Sequence, residues 1–302
     1  DGYTGEVSHV IKTDQVEVNG IAFSPDGQEM ATSGDDGTIR VRNRATGQER
    51  LNIRSPRGKQ FQLLYTPDGR HILSSGDFPE IVMLDSQPGE EVRTLTGHSK
   101  LVNSMLYLPE TKTFVSGSHD KTIRVWDCTK WHELFSWTAA GQARSVIACN
   151  HQSVLIVGTN LGHLHSLDLK GRRELSRVNH HDGIESLTAH PAGGIVAAGD
   201  RGGSIRIWKI GADGQLTDSD VMPWSAHQGI VYSLAWNADG SRLISAGSDG
   251  RVVSWNMAAS RRSGPRVCGL GTVTAAGSDR AFYHKPTTDQ IVVCETAPTR
   301  TV

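Results

Sequence analysis

The 302-residue sequence is short of most features that announce a function directly. Its four cysteines, Cys128, Cys149, Cys268 and Cys294, stand far apart, without the close pairs of a zinc site or a dense disulfide framework. They read as buried thiols of a reducing compartment, which suggests a cytoplasmic location, with distant disulfides as the alternative. Aromatic residues make up 6% and hydrophobic residues 37% of the chain, a composition suited to short strands in thin sheets. No apolar run approaches the roughly 18 residues of a membrane-spanning helix, so membrane insertion is not expected. A net charge of −1 provides no overall pull toward nucleic acid or anionic lipid. GxSxG, HExxH, GxxxxGK[ST] and a strand-to-helix GxGxxG are all missing, so neither an enzyme nor a cofactor is expected. The chain opens at Asp1 with neither Met nor a signal-like segment, and is read as an excised domain or processed fragment.

What is present is repetition. A turn recurs at Pro25-Asp26-Gly27, Pro67-Asp68-Gly69 and Pro109-Glu110-Thr111, then more weakly at Asn150, Pro191-Ala192-Gly193 and Ala238-Asp239-Gly240, at spacings of roughly 41 to 47 residues. Between turns, apolar and polar residues alternate over short stretches broken by Gly, Pro, Asp or Asn, which is the signature of strands and tight turns. A period in the low forties accommodates four short strands, and the chain holds about seven such periods. Their first strands begin near Val18, Gln60, Val102, Arg144, Ile184, Val231 and, in degenerate form, Thr272. The last period supplies three strands, Thr272–Ala276, Arg280–His284 and Gln290–Cys294, and Glu6–Lys12 is the expected fourth. Residues 1–302 are thus expected to form one all-β domain.

The clearest period runs from Gly97 to Asp127: GHSKLVNSMLYLPETKTFVSGSHDKTIRVWD. Its Gly-His opening, Ser-Gly-Ser, turn Asp and closing Trp-Asp resemble one WD40 repeat, the four-stranded blade of a β-propeller. The SPDG and SGDDGTIRV stretches are similar to the near-consensus repeats of bacterial WD40 domains. The resemblance implies a seven-bladed propeller whose ring is closed by the N-terminal strand joining the last blade. It also implies a buried tetrad of His98, Ser116, Asp120 and Trp126, and a second in blade six of His227, Ser245, Asp249 and Trp255. Imidazole, hydroxyl, carboxylate and indole N–H satisfy one another, so their burial leaves no polar group alone. Blade one keeps Thr32 and Asp36, with Asp14 and Arg42 at the His and Trp positions. Blade five keeps His180 and Trp208, with Ala198 and Gly202 at the Ser and Asp positions. Blades two and four carry Phe78 and Leu161 for Asp, and Leu84 and Leu167 for Trp.

Other clusters read as structural. His163 and His165 share one face of a strand and are taken as solvent-facing, because no further ligand stands at metal-binding spacing. His180-His181-Asp182 falls on the tetrad position and the following turn. The Ser, His and Asp of blades three and six recur at repeat spacing, unlike a single nucleophile with its oxyanion hole. The basic run Arg40, Arg42, Arg44, Arg50, Arg54, Arg57 and Lys59 contains Glu49 as its one acid and suggests an alternative role in binding an anionic polymer. Arg261, Arg262 and Arg266 form a smaller basic group. An insertion, Gly211–Trp224, lengthens the step between blades five and six; it reads as an extended outer strand with Trp224 packed on the blade, or as a docking loop.

In WD40 proteins, the resemblance implies, three positions per blade face the top of the propeller. These are Glu17, Asn19 and Asp35 in blade one, Lys59, Phe61 and Asp77 in blade two, and Leu101, Asn103 and His119 in blade three. Blade four supplies Ala143, Ser145 and Asn160, blade five Gly183, Glu185 and Arg201, and blade six Ile230, Tyr232 and Ser248. The expected partner-binding set is Lys59, Phe61, Leu101, Asn103, His119, Glu185, Arg201, Ile230 and Tyr232, with Phe61, Tyr232 and Arg201 as anchors. The expected function is a non-catalytic scaffold or sensor that binds a protein or peptide, fused or bound to an effector domain. A ligand or substrate in a central channel is the alternative.

Overall fold

The computed structural model describes residues 9–149 and 153–257, with the backbone of the strands Arg266–Leu270, Thr272–Gly277, Arg280–Lys285 and Gln290–Glu295. Every regular element among the described residues is a β-strand. The chain divides into two compact units, one of residues 14–146 and one of residues 1–13 with 147–302.

In the unit of residues 14–146, three four-stranded antiparallel sheets are each made of consecutive strands. Blade one comprises Val18–Phe23, Glu29–Gly34, Thr38–Asn43 and Glu49–Arg54. Blade two comprises Gln60–Tyr65, His71–Gly76, Ile81–Asp85 and Glu91–Leu95, and blade three Val102–Leu108, Thr113–Ser118, Thr122–Asp127 and His132–Thr138. The recurring turns set these hairpins. Ser24 donates to Asp26 Oδ1 at 2.6 Å, the Gly27 N–H donates to Ser24 O, and Gly27 takes the φ of 69° that the turn requires. Thr66, Asp68 and Gly69 repeat the device.

Blades pack face on face. Ala31, Ile39 and Val41 of blade one meet Leu63, Ile72 and Val82 of blade two, while Leu73, Ile81 and Met83 of blade two meet Val102, Phe114 and Trp126 of blade three. The middle strands are buried on both faces, so they read as continuous apolar or small residues. The outer strand His132–Thr138 alternates exposed and half-buried. Each large apolar side chain buried completely, such as Phe114, contributes about 1.5–3 kcal/mol.

Blade four comprises Ala143–Cys149, Val154–Thr159, His163–Asp168 and Arg173–Asn179, its first strand crossing the boundary between the units. Ala143, not Arg144, is the buried residue that opens this strand, one position earlier than the sequence pattern suggests, because a small residue there carries little apolar signal. Blade five comprises Ile184–Ala189, Ile195–Asp200 and Ser204–Ile210. Its outer position is shared by Leu216–Asp218 and Trp224–Ser225, both paired with Ser204–Ile210. Blade six comprises Val231–Trp236, Arg242–Gly247, Arg251–Asn256 and Arg266–Leu270.

Six blades therefore stand on consecutive strands, where seven were expected. A further four-stranded sheet is composite: His9–Lys12 pairs antiparallel with Gln290–Glu295, followed by Arg280–Lys285 and Thr272–Gly277. The register sets His9 opposite Val293 and Lys12 opposite Gln290; residues 6–8 of the expected strand lie outside the described residues. The architecture is that of an all-β β-propeller.

Candidate functional site

Two kinds of polar site emerge, one inside the blades and one at their ends. In blade three the donors run in one direction. Trp126 Nε1–H donates to Ser116 Oγ at 2.9 Å, Ser116 O–H donates to His98 Nε2 at 2.8 Å, and His98 Nδ1–H donates to Asp120 Oδ2 at 2.9 Å. This order assigns a neutral imidazole protonated on Nδ1. Burial lowers the His98 pKa below its ordinary 6.5 against the opposing pull of Asp120. Burial alone would raise Asp120, but the Thr122 hydroxyl, the N–H groups of Ser99 and Thr122, and His98 outweigh it and hold the carboxyl at about 2. Blade six has the same arrangement. Trp255 donates to Ser245 at 2.8 Å, Ser245 meets His227 Nε2 at 2.7 Å, and His227 Nδ1 meets Asp249 at 2.9 Å.

Other blades rebuild the network from residues that the repeat pattern does not mark. In blade one Gln15, not Asp14, takes the imidazole's place: it accepts from Thr32 Oγ1 at 2.5 Å and donates to Thr38 Oγ1 at 3.0 Å. Arg42 is 2% exposed at the Trp position and pairs with Glu49 at 2.9 Å. In blade two Ser74 donates to Gln60 at 2.5 Å. In blade five His180 Nε2 meets Asp200 Oδ2 at 3.0 Å, so the carboxylate comes from two positions before Gly202. Ala198 supplies no hydroxyl, and Trp208 Nε1 and His180 Nδ1 are buried with no hydrogen-bond partner among the described residues.

At the blade ends, one irregularity recurs. In blades one, two, three, five and six the pairing of the first strand slips by one residue directly after its opening position. The residues stepped over are Asn19, Phe61, Asn103, Glu185 and Tyr232. A bulge leaves its extra residue out of the ladder and re-aims the side chain. A second recurring bond ties the adjoining loop to the same end. The N–H groups of Asp77, His119, Arg201 and Ser248 donate to the carbonyls of Lys59, Leu101, Gly183 and Ile230 at 2.8–3.3 Å, and that of Asp35 donates to Val16 and Glu17. Within each of these five blades the three expected positions are thus gathered at one strand end.

The two units present this end differently. In residues 14–146, Lys59 is exposed and pairs with Asp35, which raises the lysine's pKa; Asn19 donates to Asp35 at 2.7 Å and to Gln60 O at 3.2 Å, linking blades one and two. Phe61, Leu101, Asn103 and His119 are half-buried, and Asn103 donates to Arg144 O at 2.9 Å. In the other unit Arg201 donates to Glu185 at 3.1 Å, Ile230 is half-buried and Tyr232 is 47% exposed. Val16 and Leu161, 63% and 59% exposed, belong to the same loops and were not among the expected contacts; in blade four Leu161 occupies the turn position of the tetrad Asp.

The basic run is largely neutralised by its own Glu49 and by acids from elsewhere in its unit. Arg40 and Arg42 share Glu49, Arg50 pairs with Glu29, Arg57 with Glu91 at 2.7 Å, and Lys59 with Asp35. His165, expected at the solvent face, is 1% exposed and bonded to Glu174 at 2.7 Å, while His163 meets Asn179 at 2.9 Å. No cluster of three or more metal-ligating side chains occurs among the described residues. Cys128 and Cys149 carry free thiols whose pKa burial pushes up to about 12, and the other two cysteines lie where side chains are not described. Arg261 and Arg262 lie outside the described residues.

The WD domain, G-beta repeat family matches at residues 5–43, 89–127, 172–209 and 219–256, just over half of the chain. The chain belongs to the WD40 repeat family. Among curated WD-repeat relatives it is 33% identical over 108 residues to mouse WD repeat and SOCS box-containing protein 1, covering 35% of this chain and 25% of that protein. It is 28% identical over 156 residues to fission yeast U3 small nucleolar RNA-associated protein 15, covering 48% and 29%. With rice pre-mRNA-processing factor 19 it shares 29% over 153 residues, covering 48% and 28%. This WD40 chain therefore spans between a quarter and a third of those relatives' lengths.

Proposed function

We propose that this WD40 chain is a non-catalytic interaction platform that holds a protein or peptide against the ends of its blades. The observation that carries the reading is the bulge repeated in five blades, which re-aims one side chain per blade at the same strand end. Phe61, Tyr232 and Arg201 are its anchors, since aromatic and Arg side chains dominate interface energies. Lys59, Leu101, Asn103, His119, Glu185 and Ile230 complete the contact set. In this reading the composite sheet closes one ring and one domain, in a cytoplasmic protein attached to an effector. The ion-paired state of Arg40, Arg42, Arg50, Arg57 and Lys59 favours a protein partner over an anionic polymer. The test is affinity capture from native lysate, followed by titration of the captured protein. Wild type binds it, and Phe61→Ala/Tyr232→Ala weakens binding at least about tenfold, the loss of one hot-spot residue or more. Equal affinities would remove the blade ends from the interface.

A further inference from the structure

The insertion Gly211–Trp224 lies at two blades whose side-chain network is incomplete. Blade four has Val157, Leu161 and Leu167 at the Ser, Asp and Trp positions, and blade five has Ala198 at the Ser position and an indole N–H, that of Trp208, with no acceptor among the described residues. The insertion does more than supply blade five with an outer strand. Ser166 of blade four donates to Gly214 O at 2.6 Å, Gln215 Nε2 donates to Leu175 O at 2.9 Å, and the Leu216 N–H donates to Ser176 Oγ at 2.9 Å. Leu216 is 5% exposed, in one apolar cluster with Ile156, Leu164, Trp208 and Ile210, against which Leu175 packs.

Gly214 is required by this approach: its φ is 79°, and a Cβ would stand 2.4 Å from Leu175 Cδ1. At the other end Trp224 pairs with Ile205 of blade five and sets its ring edge-on to Trp255 of blade six, centroids 5.6 Å apart. Between the two paired pieces the strand breaks, and Ser219 Oγ covers the break by donating to Ile207 O at 2.8 Å. One segment therefore touches three successive blades of the same unit.

We propose that this insertion is a clasp. It joins blades four, five and six along their outer edges, in place of the internal network that blade four lacks and blade five holds only in part, and its release frees blade five to open locally. Local opening follows the stability of the segment concerned and is read by amide hydrogen exchange. The test compares wild type with Gln215→Ala/Ser176→Ala, which removes two hydrogen bonds at the surface, and with Leu216→Ala, which removes the apolar anchor. Exchange in Arg173–Asn179 and Ser204–Ile210 is expected to quicken about tenfold in the milder variant and further in Leu216→Ala, with Val102–Leu108 unchanged. In the milder background, Ala198→Ser is expected to slow Ser204–Ile210 again. Unchanged exchange in Arg173–Asn179, an equal rise in Val102–Leu108, or no slowing on Ala198→Ser would each overturn the proposal.

Discussion

Blades five and six share a unit and a packed face, yet hold their histidines in different ways. In blade six, Ser245 links Trp255 and His227, and Asp249 takes the second imidazole nitrogen, so all four groups are satisfied. In blade five, Ala198 interrupts the chain, Asp200 reaches His180 from another position, and Trp208 Nε1 has no acceptor among the described residues. Both blades fold. The difference teaches that the network is not needed to form a blade, and that its absence leaves a recognisable weak place, the one the clasp covers.

The comparison is broken most sharply from the blade six side. Ser245→Ala reproduces there what Ala198 does in blade five, leaving the indole N–H and the imidazole Nε2 unsatisfied. The expected loss is about 2–3 kcal/mol in chemical denaturation, because a buried polar group without a partner costs about 1–3 kcal/mol. A smaller effect separates two equally buried tryptophans, Trp126 at 2% and Trp208 at 3% exposure. Replacing either with Phe removes similar volume, but only Trp126 loses a hydrogen bond, so Trp126→Phe is expected to cost about 1 kcal/mol more than Trp208→Phe. Ala198→Ser runs the other way and is expected to stabilise the wild-type chain by about 0.5–1 kcal/mol by giving Trp208 an acceptor.

Acid separates a satisfied blade from an altered one. Asp120 is depressed to about 2 in the folded chain, so the stability it contributes is present above its unfolded value near 3.8 and fades as pH falls toward 2. His98 is also lowered, so its neutral form favours folding above about 6.5 and protonation opposes folding below that. Protection against hydrogen exchange in Thr113–Ser118, taken relative to the intrinsic amide rate at each pH, is expected to fall progressively between pH 6.5 and pH 2, and Asp120→Asn to flatten the lower part of that profile.

Much of this was legible in the sequence, and what was not has physical reasons. The turns announced the strands because Asp and Gly at fixed offsets fulfil a backbone requirement that few other residues meet. The complete tetrads were legible because their four residue types recur at one spacing. Gln15 and Asp200 were not, since each reaches the network from a neighbouring position, and a one- or two-residue displacement in a loop or at a strand end leaves no periodic trace. The basic run looked open because its partners Glu29, Glu91 and Asp35 are remote from it along the chain or in a different strand. His165 looked solvent-facing because alternation marks two faces of a strand, and the middle strands are buried on both. The three positions at each blade end followed from family resemblance; the bulge beneath them is a backbone irregularity with no residue signature of its own.

The central claim is that the residues that hold the blades and the residues that offer a surface are separable. Measuring partner affinity and unfolding midpoint together, on Phe61→Ala/Tyr232→Ala and on Ser245→Ala, tests it directly. The account predicts that the first variant loses affinity at an almost unchanged midpoint, and that the second unfolds earlier while binding normally below its transition. A first variant that binds as wild type does, or a Ser245→Ala protein that is folded but no longer binds, would contradict it.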